Sequence, residues 1–185
     1  MKDIYRGTLV RLCDESPEIM AKAFAKWDRD TEQHRLADSD PAMLLSEKKI
    51  KEIVEKRAEN KQSAPFSIRT LAEDKLIGGV GLWGHSWSHS DAWLGISIGD
   101  REYWGKGYGT DAMRLMVQYG FIELNLRRIS LGLHAYNERA RKSYEKIGFK
   151  MEGRTRGDGL RDGVRFDSLW MGILREEWLA AQELA

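Results

Sequence analysis

One cysteine, Cys13, stands in 185 residues. A lone cysteine excludes an internal disulfide and a zinc cluster built on cysteines, and it fits a reducing, cytoplasmic setting. Charge of one sign is also lacking, since 30 basic residues against 29 acidic ones leave a net +1. No global field therefore draws the chain to nucleic acid or to an anionic membrane. No apolar run approaches the roughly 20 residues that span a bilayer. Residues 1–6 carry no apolar segment, so no secretory leader is expected. Histidines number four. The pair His85 and His89 has the i, i+4 spacing that suits a metal only on a helix, and its segment does not read as one. No metal is expected.

What is present suits a well-buried core: 42% hydrophobic residues and seven tryptophans. The length predicts a single domain over 1–185. Residues 8–13 alternate apolar and polar and read as a strand. Ser16 and Pro17 give an N-cap and a first helical position, and Ile19, Met20, Phe24 and Trp27 form one stripe of the helix that follows. Residues 30–40 read as a polar loop. Pro41 is expected to start a second helix, with Leu44, Ile50, Ile53 and Val54 inward. Residues 66–71 and 76–83 read as a hairpin, and 84–90 as a polar loop bearing Trp87 that could serve a homodimer contact.

Residues 92–98 read as a strand, 111–124 as a helix with Met113, Met116, Val117, Phe121 and Leu124 on one face, and 129–135 as a strand. Residues 137–147 read as a helix stopped by Gly148. Two strands, 151–156 and 164–174, turn at Asp162-Gly163, and 175–185 is a short terminal helix. The order predicts an α/β (α+β) fold, with a mixed central sheet of about seven strands and helices on both faces.

The run Trp104-Gly105-Lys106-Gly107-Tyr108-Gly109-Thr110 lies between a strand and a helix. Glycines bare consecutive backbone N–H groups, and a helix N-terminus adds partial positive charge. Together they seat a phosphate or pyrophosphate. A Walker-type loop needs Lys and Ser/Thr directly after its last glycine, whereas Gly109 is followed by Thr110 and Asp111. The dinucleotide fingerprint Gly-x-Gly-x-x-Gly belongs near a first strand, and this loop is Gly-x-Gly-x-Gly past mid-chain. ATP and NAD are poorly supported, and a purely structural turn is the remaining alternative.

Residues 137–149 spell N-x-x-A-x-x-x-Y-x-K-x-G-F through Asn137, Ala140, Tyr144, Lys146, Gly148 and Phe149. This block, placed after W-G-K-G-Y-G-T, resembles the GNAT superfamily of acetyl-CoA-dependent N-acetyltransferases. The segments Met151-Glu152-Gly153-Arg154, Arg161-Asp162-Gly163 and 167–174 look like the ribosomal-protein-alanine and spermidine-type branch.

The resemblance implies a mostly antiparallel sheet splayed between its fourth and fifth strands. It implies that the amides of Gly105, Lys106, Gly107, Tyr108, Gly109 and Thr110 hold the pyrophosphate of acetyl-CoA. Ser97, Ile98 and Gly99 would pair with the pantetheine arm as a false strand, with a backbone N–H near Ile98 bonding the thioester oxygen. Asn137 would sit beside the arm, or simply cap its helix. Arg141 and Lys142 would meet the phosphates, or point into solvent, as would Lys106. Tyr144 would be the general acid for the departing thiolate, with a core tyrosine as its plain alternative.

Two positions depart from the family pattern. Trp104 stands where Arg or Gln is frequent. Trp93 stands where many relatives carry a glutamate base, so the base is unassigned. His134, Asp91 and Asp167 are weak candidates, and a water chain would need no single base. Trp93 instead is expected to wall the acceptor pocket.

The implied activity is acetyl transfer to a primary amine, by direct attack in a ternary complex, on a protein N-terminus, a polyamine or another small amine. A CoA-binding module without efficient catalysis is the alternative. Asp14, Glu15, Asp28, Asp30, Glu32, Asp38 and Asp40 could attract a cationic acceptor.

Overall fold

The computed structural model describes residues 3–38, 40–86 and 88–183, except for the side chains at 85 and 86. The expectations resting on Trp87 and on the His85 side chain lie outside the described residues, as do the last two positions of the terminal helix.

The chain runs β1 (Val10–Cys13), α1 (Pro17–Trp27), α2 (Thr31–Ala37), α3 (Glu47–Ala58), β2 (Ser63–Thr70), β3 (Leu76–Ser86) and β4 (Asp91–Ile98). It continues through α4 (Tyr108–Ile122), β5 (Arg128–His134), α5 (Glu138–Glu145), β6 (Lys150–Arg161), β7 (Val164–Leu174) and α6 (Arg175–Glu183). The seven strands form one sheet in the order β1-β2-β3-β4-β5-β7-β6. Every neighbouring pair is antiparallel except β4 and β5, which run parallel. The mixed α/β sheet expected from the element order is therefore present.

The splay is present too. β4 pairs with β5 only at Asp91↔Arg128, Ala92↔Ile129 and Trp93↔Ser130. Beyond Trp93 the two strands part, while β4 keeps a regular ladder to β3 through Gly78↔Ile98. The register shift on that ladder lies between Trp83 and Ser86, at the closed end of the fork and away from Ile98.

Periodicity explains which face is filled. Ala112, Met113, Leu115, Met116, Val117 and Phe121 of α4 are buried together with Leu82, Leu94, Ile129, Leu131, Met171 and Ile173 of the sheet. This is an amphipathic helix laid on the apolar face of a sheet. α1 covers part of the opposite face, where the Met20 and Phe24 side chains lie over Gly79, and Trp27 lies over Gly99.

Several sequence readings need correction: β3 runs through Ser86 into the segment read as a loop, and β6 continues to Arg161 rather than ending at 156. Residues 30–40 are not all loop, because 31–37 form α2. Asp30 caps that helix by accepting from the N–H groups of Glu32 and Gln33. Its contacts are polar rather than apolar, so hydrophobic periodicity gave no signal. The next helix does not start at Pro41: α3 begins at Glu47 behind the Ser46 cap, and Leu44 is 79% exposed instead of inward. Elsewhere the Asp162-Gly163 turn closes the last hairpin with φ of 51° and 76°, the left-handed pair that a type I′ turn requires.

Candidate active site

The open end of the fork holds the glycine loop. Gly105 and Gly107 have φ of 71° and 91°, conformations that glycine adopts without strain. Gly107 is the N-cap of α4, and it offers no side chain to the helix amides. The first turn of α4 therefore presents unpaired N–H groups at the positive end of a four-turn helix. Lys106 is exposed beside them. Thr110 binds Ser143 of α5 through their hydroxyls at 2.7 Å, and the Tyr108 ring meets Tyr103 edge to face at 5.0 Å.

The loop is anchored from below. The buried Asp111 carboxylate accepts from the N–H groups of Leu9 at 2.7 Å and Val10 at 3.0 Å, and from the Thr8 hydroxyl. A methyl on Gly7 would lie 2.4 Å from that carboxylate, so glycine is required for so close an approach.

The exposed edge of β4 supplies backbone groups. Gly99 donates to Ile77 at 2.9 Å on the β3 side. Along an antiparallel ladder the direction alternates, so Ile96 and Ile98 turn their backbone groups toward the gap left by β5. The Ile98 carbonyl is engaged there by Trp104, whose Nε1 donates at 2.6 Å. The Trp104 ring in turn lies under the guanidiniums of Arg139, at 4.0 Å, and Arg101, at 5.1 Å. Ser97 faces the other way and accepts from Gln33 at 2.5 Å.

Tyr144 projects from α5 and is half-buried, 6.2 Å from the Phe149 ring. Burial pushes its hydroxyl up to about 12, with Arg139 acting weakly in the opposite sense. It thus carries its proton throughout the neutral range, and the same burial makes it a weaker acid than a free tyrosine.

Asn137 is buried, and both ends of its carboxamide are engaged. Its Oδ1 accepts from the Ala140 N–H at 3.1 Å, capping α5, and its Nδ2 donates to the Leu36 carbonyl at 3.2 Å. Arg141 pairs with Glu138 at 2.6 Å and Glu145 at 2.8 Å along its own helix. Lys142 is exposed on the same helix.

The base candidates are scattered. Asp91 lies at the closed end of the fork, paired with Arg128. Asp167 accepts from the Gly157 N–H at 2.7 Å and from Arg154, and these two contacts hold its carboxyl below the usual range. His134 is buried. Its Nε2 donates to the Asp38 carbonyl at 3.2 Å, its ring stacks on Tyr136 at 5.2 Å, and its Nδ1 has no partner. Trp93, 40% exposed, meets Trp170 edge to face at 5.6 Å. Among the described residues no group of three or more His, Cys, Asp and Glu could hold a metal, and no helix is long and apolar enough to cross a membrane.

Sequence reasoning missed the role of α2. Gln33 ties it to β4, while the Leu36 and Asp38 carbonyls tie it to Asn137, just after β5, and to His134 at the end of β5. The helix thus bridges the mouth of the fork. Its only sequence signal was the Asp30 cap. Arg101 reinforces that cap through a bidentate contact with Asp30, which holds the Asp30 carboxyl down at about 2.

Known proteins share this architecture. A spermidine N-acetyltransferase from Vibrio cholerae, solved in complex with CoA and spermine, superposes with a TM-score of 0.79 at 24% identity over 92% of this chain and 96% of that one. In sequence, a "Probable N-acetyltransferase" of Bacillus subtilis (YjcK) is 36% identical over 131 residues, 70% of this chain and 71% of its own length. The spermidine N(1)-acetyltransferase of Escherichia coli is 37% identical over 79 residues, 43% of this chain and 42% of its own. Residues 8–150 match the family described as the acetyltransferase (GNAT) domain. With that match, and with the fork and glycine loop where the motifs required them, the chain belongs to the GNAT family of N-acetyltransferases.

Proposed function

We propose that the open β4 edge and the head of α4 hold acetyl-CoA, and that the chain transfers its acetyl group to a primary amine by direct attack in a ternary complex. The observation that carries this reading is the end of β4–β5 pairing at Trp93↔Ser130. It leaves an unpaired strand edge beside a turn of unpaired amides. The first fits an amide-bearing arm as a false strand, and the second fits a diphosphate.

Acetyl-CoA, when bound, supplies the activated acyl carbon. The amides of 105–110 bind the diphosphate, with Lys106 and Lys142 adding positive charge nearby; Arg141, expected to meet the phosphates, is instead held by Glu138 and Glu145. Ile96 and Ile98 offer backbone groups to the arm, and an N–H of this edge stabilises negative charge on the thioester oxygen. Asn137 positions the slot by capping α5 and holding α2. Tyr144 delivers a proton to the leaving sulfur.

The balance is simple. The amine nitrogen bonds to the acyl carbon and the C–S bond breaks. Sulfur leaves as the thiol with one proton, and the nitrogen releases its surplus proton to water. Asp167 is a poor acceptor for that proton, since its two donors favour the ionised, weakly basic state. Asp91 is displaced to the closed end of the fork.

The test is thiol release from acetyl-CoA across a panel of primary amines. Saturable release with at least one amine, abolished when the amine is omitted, is expected. Tight acetyl-CoA binding without release from any amine would make the chain a CoA-binding module instead.

A further inference from the structure

Three indoles gather on the sheet face away from α4, at the root of the fork. Trp83 and Trp93 are cross-strand partners on β3 and β4, and Trp170 of β7 meets Trp93. They remain 47, 40 and 38% exposed. The sheet is shaped to carry them. A methyl on Gly95 would lie 2.1 Å from the Trp83 ring, and one on Gly132 would lie 2.8 Å from the Trp170 ring. Trp170 is further fixed by donating to the Thr155 hydroxyl at 2.8 Å. A rigid exposed aromatic cluster of this kind is characteristic of a binding surface.

Its position points to the occupant. A thioester held in the split is screened by α4 on one face, so a nucleophile must approach from the other. That other face carries the indoles, beginning at the last β4–β5 pair.

The charges around the face decide between kinds of amine. A polyamine needs several carboxylates free to meet its ammonium groups. Here Glu152 is taken by Arg128, Asp167 by Arg154, Asp162 by Arg35, and Asp30 and Glu32 by Arg101, while Asp158 accepts from the Ser168 hydroxyl, so the ion-paired carboxylates outnumber those left for a polycation. α2 is tied to the last hairpin by the exposed Arg35–Asp162 pair at 2.7 and 2.8 Å.

We infer that the acceptor is a small primary monoamine with an aromatic or branched aliphatic body, seated on Trp83, Trp93 and Trp170, and not a polyamine. The inference rests on the acetyl-transfer reading above. Indole faces bury the carbon body of the amine. They also disfavour a fully charged, hydrated polycation. Desolvation there favours the neutral amine, which is the nucleophile.

The test compares 2-phenylethylamine, tryptamine and isopentylamine with spermidine and putrescine in the thiol-release assay. The monoamines should exceed the polyamines at least tenfold in kcat/KM. Trp93→Ala and Trp170→Ala should raise the monoamine KM about tenfold and leave the Kd for CoA unchanged. Trp93→Phe should restore most of the loss, which a merely misfolded variant would not allow.

A preference for spermidine, or an unmoved monoamine KM in both alanine variants, overturns the inference while leaving acetyl transfer intact. So would sedimentation showing that the alanine variants dissociate a dimer without moving KM, because the indoles would then be an interface between copies. If no amine releases thiol, calorimetry with 2-phenylethylamine and CoA decides. Binding lost in Trp93→Ala upholds the subsite, and absence of binding to the wild type overturns it.

Discussion

Gln33 of α2 donates to the Ser97 hydroxyl of β4 across 2.5 Å, with the Gln33 side chain 6% exposed. Three residues on, the Leu36 carbonyl receives Asn137 from the opposite lip of the fork. A seven-residue helix with few apolar contacts is thereby held over the gap by polar bonds at both ends. Gln33→Ala leaves the site short of one buried partner, a loss of about 1–2 kcal/mol. A fall in Tm together with faster amide exchange within 31–37 is expected. Unchanged exchange there would show that the Asp30 cap alone secures the helix.

Asp111 carries a comparable burden beneath the glycine loop. Its replacement by alanine removes an acceptor from two backbone N–H groups and a hydroxyl. Each buried donor left unpaired costs about 1–3 kcal/mol, so Asp111→Ala should lower stability by about 3 kcal/mol in urea titration. A change under 1 kcal/mol would mean that water reaches the Leu9 and Val10 amides.

Trp104 competes with any ligand that pairs with the Ile98 carbonyl. Phenylalanine keeps the aromatic contact with Arg139 and Arg101 but cannot donate. Trp104→Phe should therefore tighten CoA binding by about fivefold, the worth of one neutral hydrogen bond near 1 kcal/mol. Calorimetry reads this directly, and weaker binding would show instead that the indole supports the bound arm.

Removing the Tyr144 hydroxyl should cost turnover while sparing affinity. Tyr144→Phe is expected to lower kcat about 100-fold, with the CoA Kd within twofold of wild type. A fully active variant would return Tyr144 to a packing role.

Tyr144 also makes a stability prediction at alkaline pH. Its hydroxyl is raised by burial to about 12 in the folded chain, against about 10 when unfolded. Between these values the native state holds more protons, so stability falls as pH rises. The loss is about 2 kcal/mol, fully absent below pH 10 and complete near pH 12. Wild type should lose stability relative to Tyr144→Phe by that amount between pH 9 and pH 12. Parallel curves would place the hydroxyl in water.

Much of the fold was readable in the chain because it rests on local chemistry and periodicity. The α4 stripe of Met113, Met116, Val117 and Phe121 is buried as its 3.6-residue spacing required. The glycines at 105 and 107 adopt positive φ, a conformation that glycine enters without strain. The Asn137 cap was legible because capping is a short-range bond to Ala140. Its second bond, to Leu36, was not, since it joins residues 101 apart in sequence.

Composition and motif spacing by themselves determined the family, the order of elements and the place of the glycine turn, because each depends on residues within a turn or strand of one another. Only the tertiary structure decided where β4 and β5 part, that α2 bridges the gap, which carboxylates are already neutralised by arginines, and that three tryptophans from different strands share one face. These are relationships between segments far apart in the chain. They arise from register, twist and long-range packing, which no local pattern of side chains encodes.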